Sequence, residues 1–132
     1  MPQSRWRALP NRPTERAGWP TLATVNANAL TSLDAIVKAY DIRGTYPDQI
    51  TAEVCEALGV GFATYIASAE PETTEIVIGR DMRPSGPELV EAFARGAARQ
   101  GLDVVDIGLA STDMIYFAAG SLDMPGVMFT AS

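Results

Sequence analysis

Two short stretches of this chain hold three arginines, and a third ends on a hydroxyl. "KAYDIRG" supplies Tyr40, Asp41 and Arg43, "GRDMRPSG" supplies Arg80, Asp81, Arg83 and Ser85, and "GVMFTAS" delivers Thr130 and Ser132. A guanidinium fork matches two phosphate oxygens at once, and a serine hydroxyl is a nucleophile once it is activated. In a chain of formal charge −6, three arginines at neighbouring strand ends point to an anionic ligand. Histidine is absent, so an imidazole base or ligand would have to come from elsewhere. Every one of these residues also has a structural use. Tyr40 suits a half-buried strand, Arg43 a solvated rim, Ser85 a helix cap and Ser132 a loop. Asp81 and Arg83 can simply pair and brace a turn. Residue type and spacing leave both readings open.

The elements that must position these residues alternate. "DAIVKAYDIRG" mixes apolar and polar residues at near period two and predicts a strand closing on Gly44. "TAEVCEALGVGFATYIAS" predicts a helix capped by Thr51, with Glu53 in its first turn and Val54, Leu58, Gly61, Phe62 and Tyr65 on one face. Gly59 and Gly61 weaken that helix, so their presence predicts a close packing contact. "EIVIG" is apolar throughout, as expected of a strand buried on both faces. "SGPELVEAFARGAARQG" offers a capping box of Ser85 and Glu88, a stripe of Leu89, Val90, Phe93, Ala94 and Ala97, and a stop at Gly101. "DVVDIG" predicts another buried strand, "STDMIYFAAG" a short helix capped by Thr112, and "GVMFTA" a last strand. Such alternation implies crossover units and a largely parallel sheet with helices on both faces. In sheets of this kind ligands bind beyond the carboxyl ends of the strands, where the arginines and Ser132 fall.

Composition narrows the function classes. An acidic chain has no general affinity for nucleic acid or an anionic membrane, and no apolar run reaches the roughly 18 residues of a transmembrane helix. The lone Cys55 has no internal disulfide partner, fits an amphipathic pattern and suits a reducing, cytoplasmic setting as a small core residue. Charge is uneven. Residues 1–31 carry four arginines against one glutamate, whereas residues 32–132 carry six basic and fifteen acidic side chains. With Pro2, Pro10, Pro13 and Pro20 and no sustained period, residues 1–31 are expected to form a disordered extension.

"KAYDIRG", "GRDMRPSG", "VVDIGLAST" and "GVMFTAS" together resemble the alpha-D-phosphohexomutases, specifically the phosphomannomutase/phosphoglucomutase branch. The resemblance spans residues 32–132. It implies that family's first domain, a three-layer α/β unit whose sheet is mixed but mostly parallel, cut short at its C-terminus. It also implies a parent enzyme that interconverts hexose 1-phosphates and 6-phosphates, of mannose or glucose, through a hexose 1,6-bisphosphate. By resemblance, Thr130 to Ser132 match the first half of the family's "TASHNP" motif, and Ser132 carries the transferable phosphate and, once phosphorylated, is a ligand of catalytic Mg2+. The remaining metal ligands belong to later segments, so this chain alone is expected to be inactive. Tyr40 and Arg43 inherit contact with substrate or its phosphate. Arg80, Asp81 and Arg83 form a supporting loop that either touches the phosphate or braces the serine loop. One departure is Asp113, where the family often has proline; either suits a helix's first turn. Phosphoglucosamine mutase is the neighbouring alternative, and a non-catalytic anion-binding α/β module is the alternative from a different class.

Overall fold

A computed structural model describes residues 4–7 and 33–131. In these, seven elements run in the order β1 (Ser4–Trp6), α1 (Ala52–Ala69), β2 (Glu75–Arg80), α2 (Gly86–Arg99), β3 (Asp103–Leu109), α3 (Thr112–Leu122) and β4 (Gly126–Phe129). The four strands form one sheet in the order β1-β3-β2-β4. β2 pairs in parallel with β3 and with β4, and β1 lies antiparallel on β3. The mixed, mostly parallel α/β architecture expected from the sequence is present.

β2 forms the middle of the sheet because its β-branched run has apolar partners on both faces. Ile76 and Ile78 are fully buried among Leu89, Val90, Phe93 and Ala97 of α2. Successive side chains point to opposite faces of a strand. Accordingly, Gly79 lies against Ile115 of α3, and a Cβ there would come within 2.7 Å of the Ile115 side chain. The helices therefore cover both faces. Burying each branched side chain of β2 contributes about 2 kcal/mol.

α1 and α2 cross where both have glycine. A Cβ on Gly59 would lie 2.1 Å from the Phe93 carbonyl oxygen, and one on Gly96 would lie 2.1 Å from the Glu56 carbonyl oxygen. This reciprocal approach decides which face of α1 is buried. Val54, Cys55, Ala57, Gly59, Val60, Ala63 and Ile66 turn inward, whereas Tyr65 is 65% exposed. The expected face through Gly61 and Tyr65 is corrected. Small residues bring the backbones together, and the large aromatic is left outside. Gly59 makes the predicted close contact, but a Cβ on Gly61 would meet nothing within 4 Å. Arg95 and Arg99 of α2 both reach Glu56 across the crossing.

Further expectations change. "DAIVKAYDIRG" does not add a strand to the sheet. Residues 33–36 are helical, and only an isolated antiparallel bridge joins Val37 to Ile42. Ile36 is fully buried with Val54 and Ala57, plugging the first turns of α1. The edge of β3 is instead occupied by β1, drawn from the segment expected to be disordered. Trp6 packs on the main core, Ser4 Oγ donates to Asp106 Oδ2 at 3.2 Å, and Arg5 pairs with Glu75. Residues 1–3 and 8–31 lie outside the described residues.

The helix caps also shift. Thr51 caps α1 as expected, accepting from the Val54 N–H at 3.2 Å. Ser85 stands at the cap of α2 in a helical conformation (φ −71°, ψ −20°) and makes no side-chain cap bond, so the capping box does not form. Pro87, with no N–H to satisfy, already removes one of the orphan donors there. Ser111 rather than Thr112 caps α3, accepting from Met114 N–H at 3.2 Å.

Cys55 is 1% exposed, in keeping with a core role. Burial, reinforced by the negative charge of Glu88, pushes its thiol up to about 12. The thiolate is the reactive form. Cys55 should therefore resist alkylation at pH 8 in the folded chain and react only on denaturation, as followed by mass spectrometry.

Candidate functional site

The carboxyl ends of β2, β3 and β4 lie side by side, and β2 and β4 are locked together there. Their register pairs Gly79 with Met128 and Arg80 with Phe129. Just beyond it, the Asp81 N–H donates to the Phe129 carbonyl at 2.9 Å, and the Ala110 N–H donates to the Arg80 carbonyl at 2.9 Å. The Phe129 ring meets Phe93 edge-on at 5.7 Å, and Phe93 in turn packs on Phe62 of α1. The strand tip that leads to Thr130, Ala131 and Ser132 is thus fixed to both helices beneath it.

Asp81 is the centre of this edge. Its Oδ1 accepts from the Arg83 N–H at 3.1 Å, and its Oδ2 accepts from Arg83 Nε at 3.2 Å and from Thr130 Oγ1 at 3.2 Å. Burial on its own would raise this carboxyl. The Arg83 backbone N–H, the Thr130 hydroxyl and the Arg83 guanidinium outweigh that and hold it below the usual carboxylate range. A lowered carboxyl contributes its bonds at neutral and mildly acid pH and loses them only as pH falls through its own depressed value.

The two arginines of this edge differ in exposure, Arg83 being exposed and Arg80 half-buried. Arg83 spends Nε on Asp81 and leaves its terminal nitrogens without a partner among the described residues, with the side chain 54% exposed. Arg80 has no carboxylate partner among the described residues. Its stem lies over Gly86, where a Cβ would come within 3.0 Å of it, and its guanidinium makes only a long 3.4 Å contact to the Asp81 carbonyl. Exposed guanidinium nitrogens held by their neighbours can receive a phosphate without first breaking strong internal pairs.

Tyr40 and Arg43 occupy a separate loop. Tyr40 is fully exposed at its tip, and Arg43 Nε donates to Asp41 Oδ2 at 2.6 Å, which fixes the direction of the guanidinium. The loop base is held by the bond from the Arg43 N–H to the Ile36 carbonyl at 2.9 Å. Tyr46 reaches Glu88, in the first turn of α2, with a 3.5 Å contact from its hydroxyl. No hydrogen bond or ion pair joins Tyr40 or Arg43 to residues 80–83 or 130 among the described residues. The structure therefore brings together Arg80, Asp81, Arg83 and Thr130, and leaves Tyr40 and Arg43 on their own mount. Ser132 lies outside the described residues.

Thr130 is the residue whose part was least visible in the sequence. Only its position one residue past a strand paired with β2 sets its hydroxyl on Asp81. The Mg2+ suggested by resemblance finds no cradle here. Among the described residues no three His, Cys, Asp or Glu side chains converge as a cation site needs. Both Asp81 oxygens are already engaged by Arg83 and Thr130. Likewise, among these residues no helix is long and apolar enough to cross a membrane.

Comparison with known proteins agrees with this fold. Residues 34–132 match the family model described as phosphoglucomutase/phosphomannomutase, alpha/beta/alpha domain I. A phosphoglucomutase of Neisseria meningitidis serogroup B is 43% identical over 98 residues, covering 74% of this chain and 21% of that protein. A phosphomannomutase/phosphoglucomutase of Pseudomonas aeruginosa is 40% identical over 108 residues, covering 80% of this chain and 23% of that protein. The crystal structure of a phosphoglucomutase/phosphomannomutase family protein from Burkholderia thailandensis superposes with a TM-score of 0.61 at 42% identity, over 64% of this chain and 18% of that one. This chain thus spans about a fifth of the length of its curated relatives. The family model covers the residues that carry the Tyr40 loop, Asp81 and the strand leading to Ser132, and the chain belongs to the phosphoglucomutase/phosphomannomutase family, as its first α/β/α domain.

Proposed function

We propose that this chain is the phosphoserine-bearing first domain of a cytoplasmic phosphohexomutase. The parent enzyme interconverts the 1-phosphate and 6-phosphate of mannose or glucose. The Ser132 oxygen gives its phosphoryl group to the free hydroxyl of the bound sugar phosphate, producing a hexose 1,6-bisphosphate. It then takes back the phosphoryl group from the other end, so phosphorus and charge balance over the cycle. Phosphoryl transfer asks a protein mainly for positioning and for positive charge around the moving oxygens. Arg83 and Arg80 stand ready to supply such charge at the β2 end. Tyr40 and Arg43 contact the sugar or its phosphate from the neighbouring loop. A Mg2+ requirement is part of the same proposal, with its ligands drawn from outside the described residues.

The observation that carries this reading is the family match over residues 34–132, the segment that contains "KAYDIRG", "GRDMRPSG" and "TAS". Two measurements on the parent polypeptide test it. Intact-mass spectrometry should show one phosphoryl group on the purified protein, located by peptide mapping at Ser132. A coupled assay should show turnover of mannose 1-phosphate or glucose 1-phosphate. Phosphate binding without phosphoserine or turnover would instead mark a non-catalytic anion-binding module, and preference for an amino-sugar phosphate would mark a phosphoglucosamine mutase.

A further inference from the structure

We infer that Asp81 is a positioning residue that holds the serine loop through the hydroxyl of Thr130 and, with the same carboxylate, aims Arg83 along that loop. The role rests on the proposed function for its catalytic meaning, but the tether itself is a property of this chain.

Asp81 and Thr130 are 49 residues apart in sequence and meet only because β2 and β4 are parallel neighbours whose register ends at Arg80 and Phe129. Backbone pairing stops at the Asp81 N–H bond to Phe129. Beyond it, the chain toward Ser132 has one side-chain anchor among the described residues, the Thr130 hydroxyl on Asp81 Oδ2. The same oxygen accepts from Arg83 Nε, and Oδ1 accepts from the Arg83 N–H. All three donors converge on one carboxylate, which is therefore used as a bracket, with both oxygens occupied. Charge-assisted bonds of this kind are the stronger ones. Thr130 is the last anchored residue before the proposed nucleophile, and a displacement of about 1 Å costs catalysis about 100-fold.

Three variants test the bracket in the parent polypeptide, with backbone 15N order parameters at Thr130 and Ala131 as the readout. Wild type should give rigid values of about 0.85, and both Asp81→Asn and Thr130→Val should fall below about 0.6. Asparagine keeps the shape but has one acceptor where two are used; valine keeps the volume but removes the donor. Thr130→Ser restores the hydroxyl and should restore the order. The proposal is overturned if Thr130→Val stays as rigid as wild type, or if Thr130→Ser is as mobile as Thr130→Val. Because Thr130 is exposed, its variants keep the test open even if Asp81→Asn fails to fold. In the parent polypeptide, Asp81→Asn and Thr130→Val should lower kcat about 10- to 100-fold with KM for the sugar phosphate nearly unchanged. The double variant should be little worse than either single one, since each breaks the same link. A parent that turns over normally in both single variants overturns the positioning role alone. A parent without phosphoserine overturns the proposed function, while the order parameters still decide the tether.

Discussion

Replacing Ser132 by alanine in the parent polypeptide should lower mutase turnover by about four orders of magnitude or more and remove phosphoserine from the intact mass. The expectation follows from the type of catalysis. When a group forms a covalent intermediate, its loss removes the reaction path itself, and single deletions of such nucleophiles cost on the order of a million-fold. A group that only assists binding costs far less. The contrast with Arg43→Ala is therefore informative. If Arg43 contacts phosphate as proposed, its loss removes charge-assisted bonds worth about 1.5–3 kcal/mol, or about 10- to 150-fold. Phosphoserine should persist in that variant. Retained turnover in Ser132→Ala would refute the assigned relay, whatever the behaviour of the arginine.

At the helix crossing, a single added methyl should cost the chain more stability than at any exposed position. Gly96→Ala and Gly59→Ala each place a methyl group 2.1 Å from a carbonyl oxygen of the opposing backbone. Neither oxygen can swing aside, because each belongs to a hydrogen-bonded helix, so the two helices must separate. Overpacking of this sort costs about 1–3 kcal/mol and at times more. Alanine regains about 1 kcal/mol of helix propensity over glycine, which the clash outweighs at this distance. The double variant should cost less than the sum, because the first methyl already opens the gap for the second. Gly61→Ala is the internal control. It stands in the same helix as Gly59 with nothing within 4 Å of the new methyl, and should gain up to about 1 kcal/mol. Urea midpoints at constant slope report all four proteins. A stabilised Gly96→Ala would mean that the helices are not in contact as described.

Separation of α1 and α2 would also reach the candidate site. Phe93 provides the carbonyl that meets Gly59 and the ring that supports Phe129, one residue before Thr130. A stability change at the crossing and a loss of order at the strand tip should therefore appear together in Gly59→Ala, whereas the Asp81 bracket variants act on the tip alone.

The alternation of elements was legible in the residues alone, because local physics writes it directly. β2 is apolar at every position from Ile76 to Gly79, α2 repeats Leu89, Val90, Phe93 and Ala97 at helical spacing, and Thr51 stands where a cap is needed. The family motifs were equally legible, since they are contiguous residues. The rest lies in contacts between segments far apart in the chain. The close face of α1 was chosen by Gly96 of another helix, not by the hydrophobic pattern of α1 itself. Residues 37–42 show near period two, yet they form a bridged loop because Ile36 is drawn under α1 and β1 occupies the edge of β3. Asp81 could have paired with Arg83 alone, as neighbours do. Only the parallel register of β2 and β4 places the Thr130 hydroxyl on the same oxygen and turns a local turn brace into a clamp on the loop that leads to Ser132. Periodicity encodes what one segment buries, and register, which no single segment encodes, sets which side chains meet.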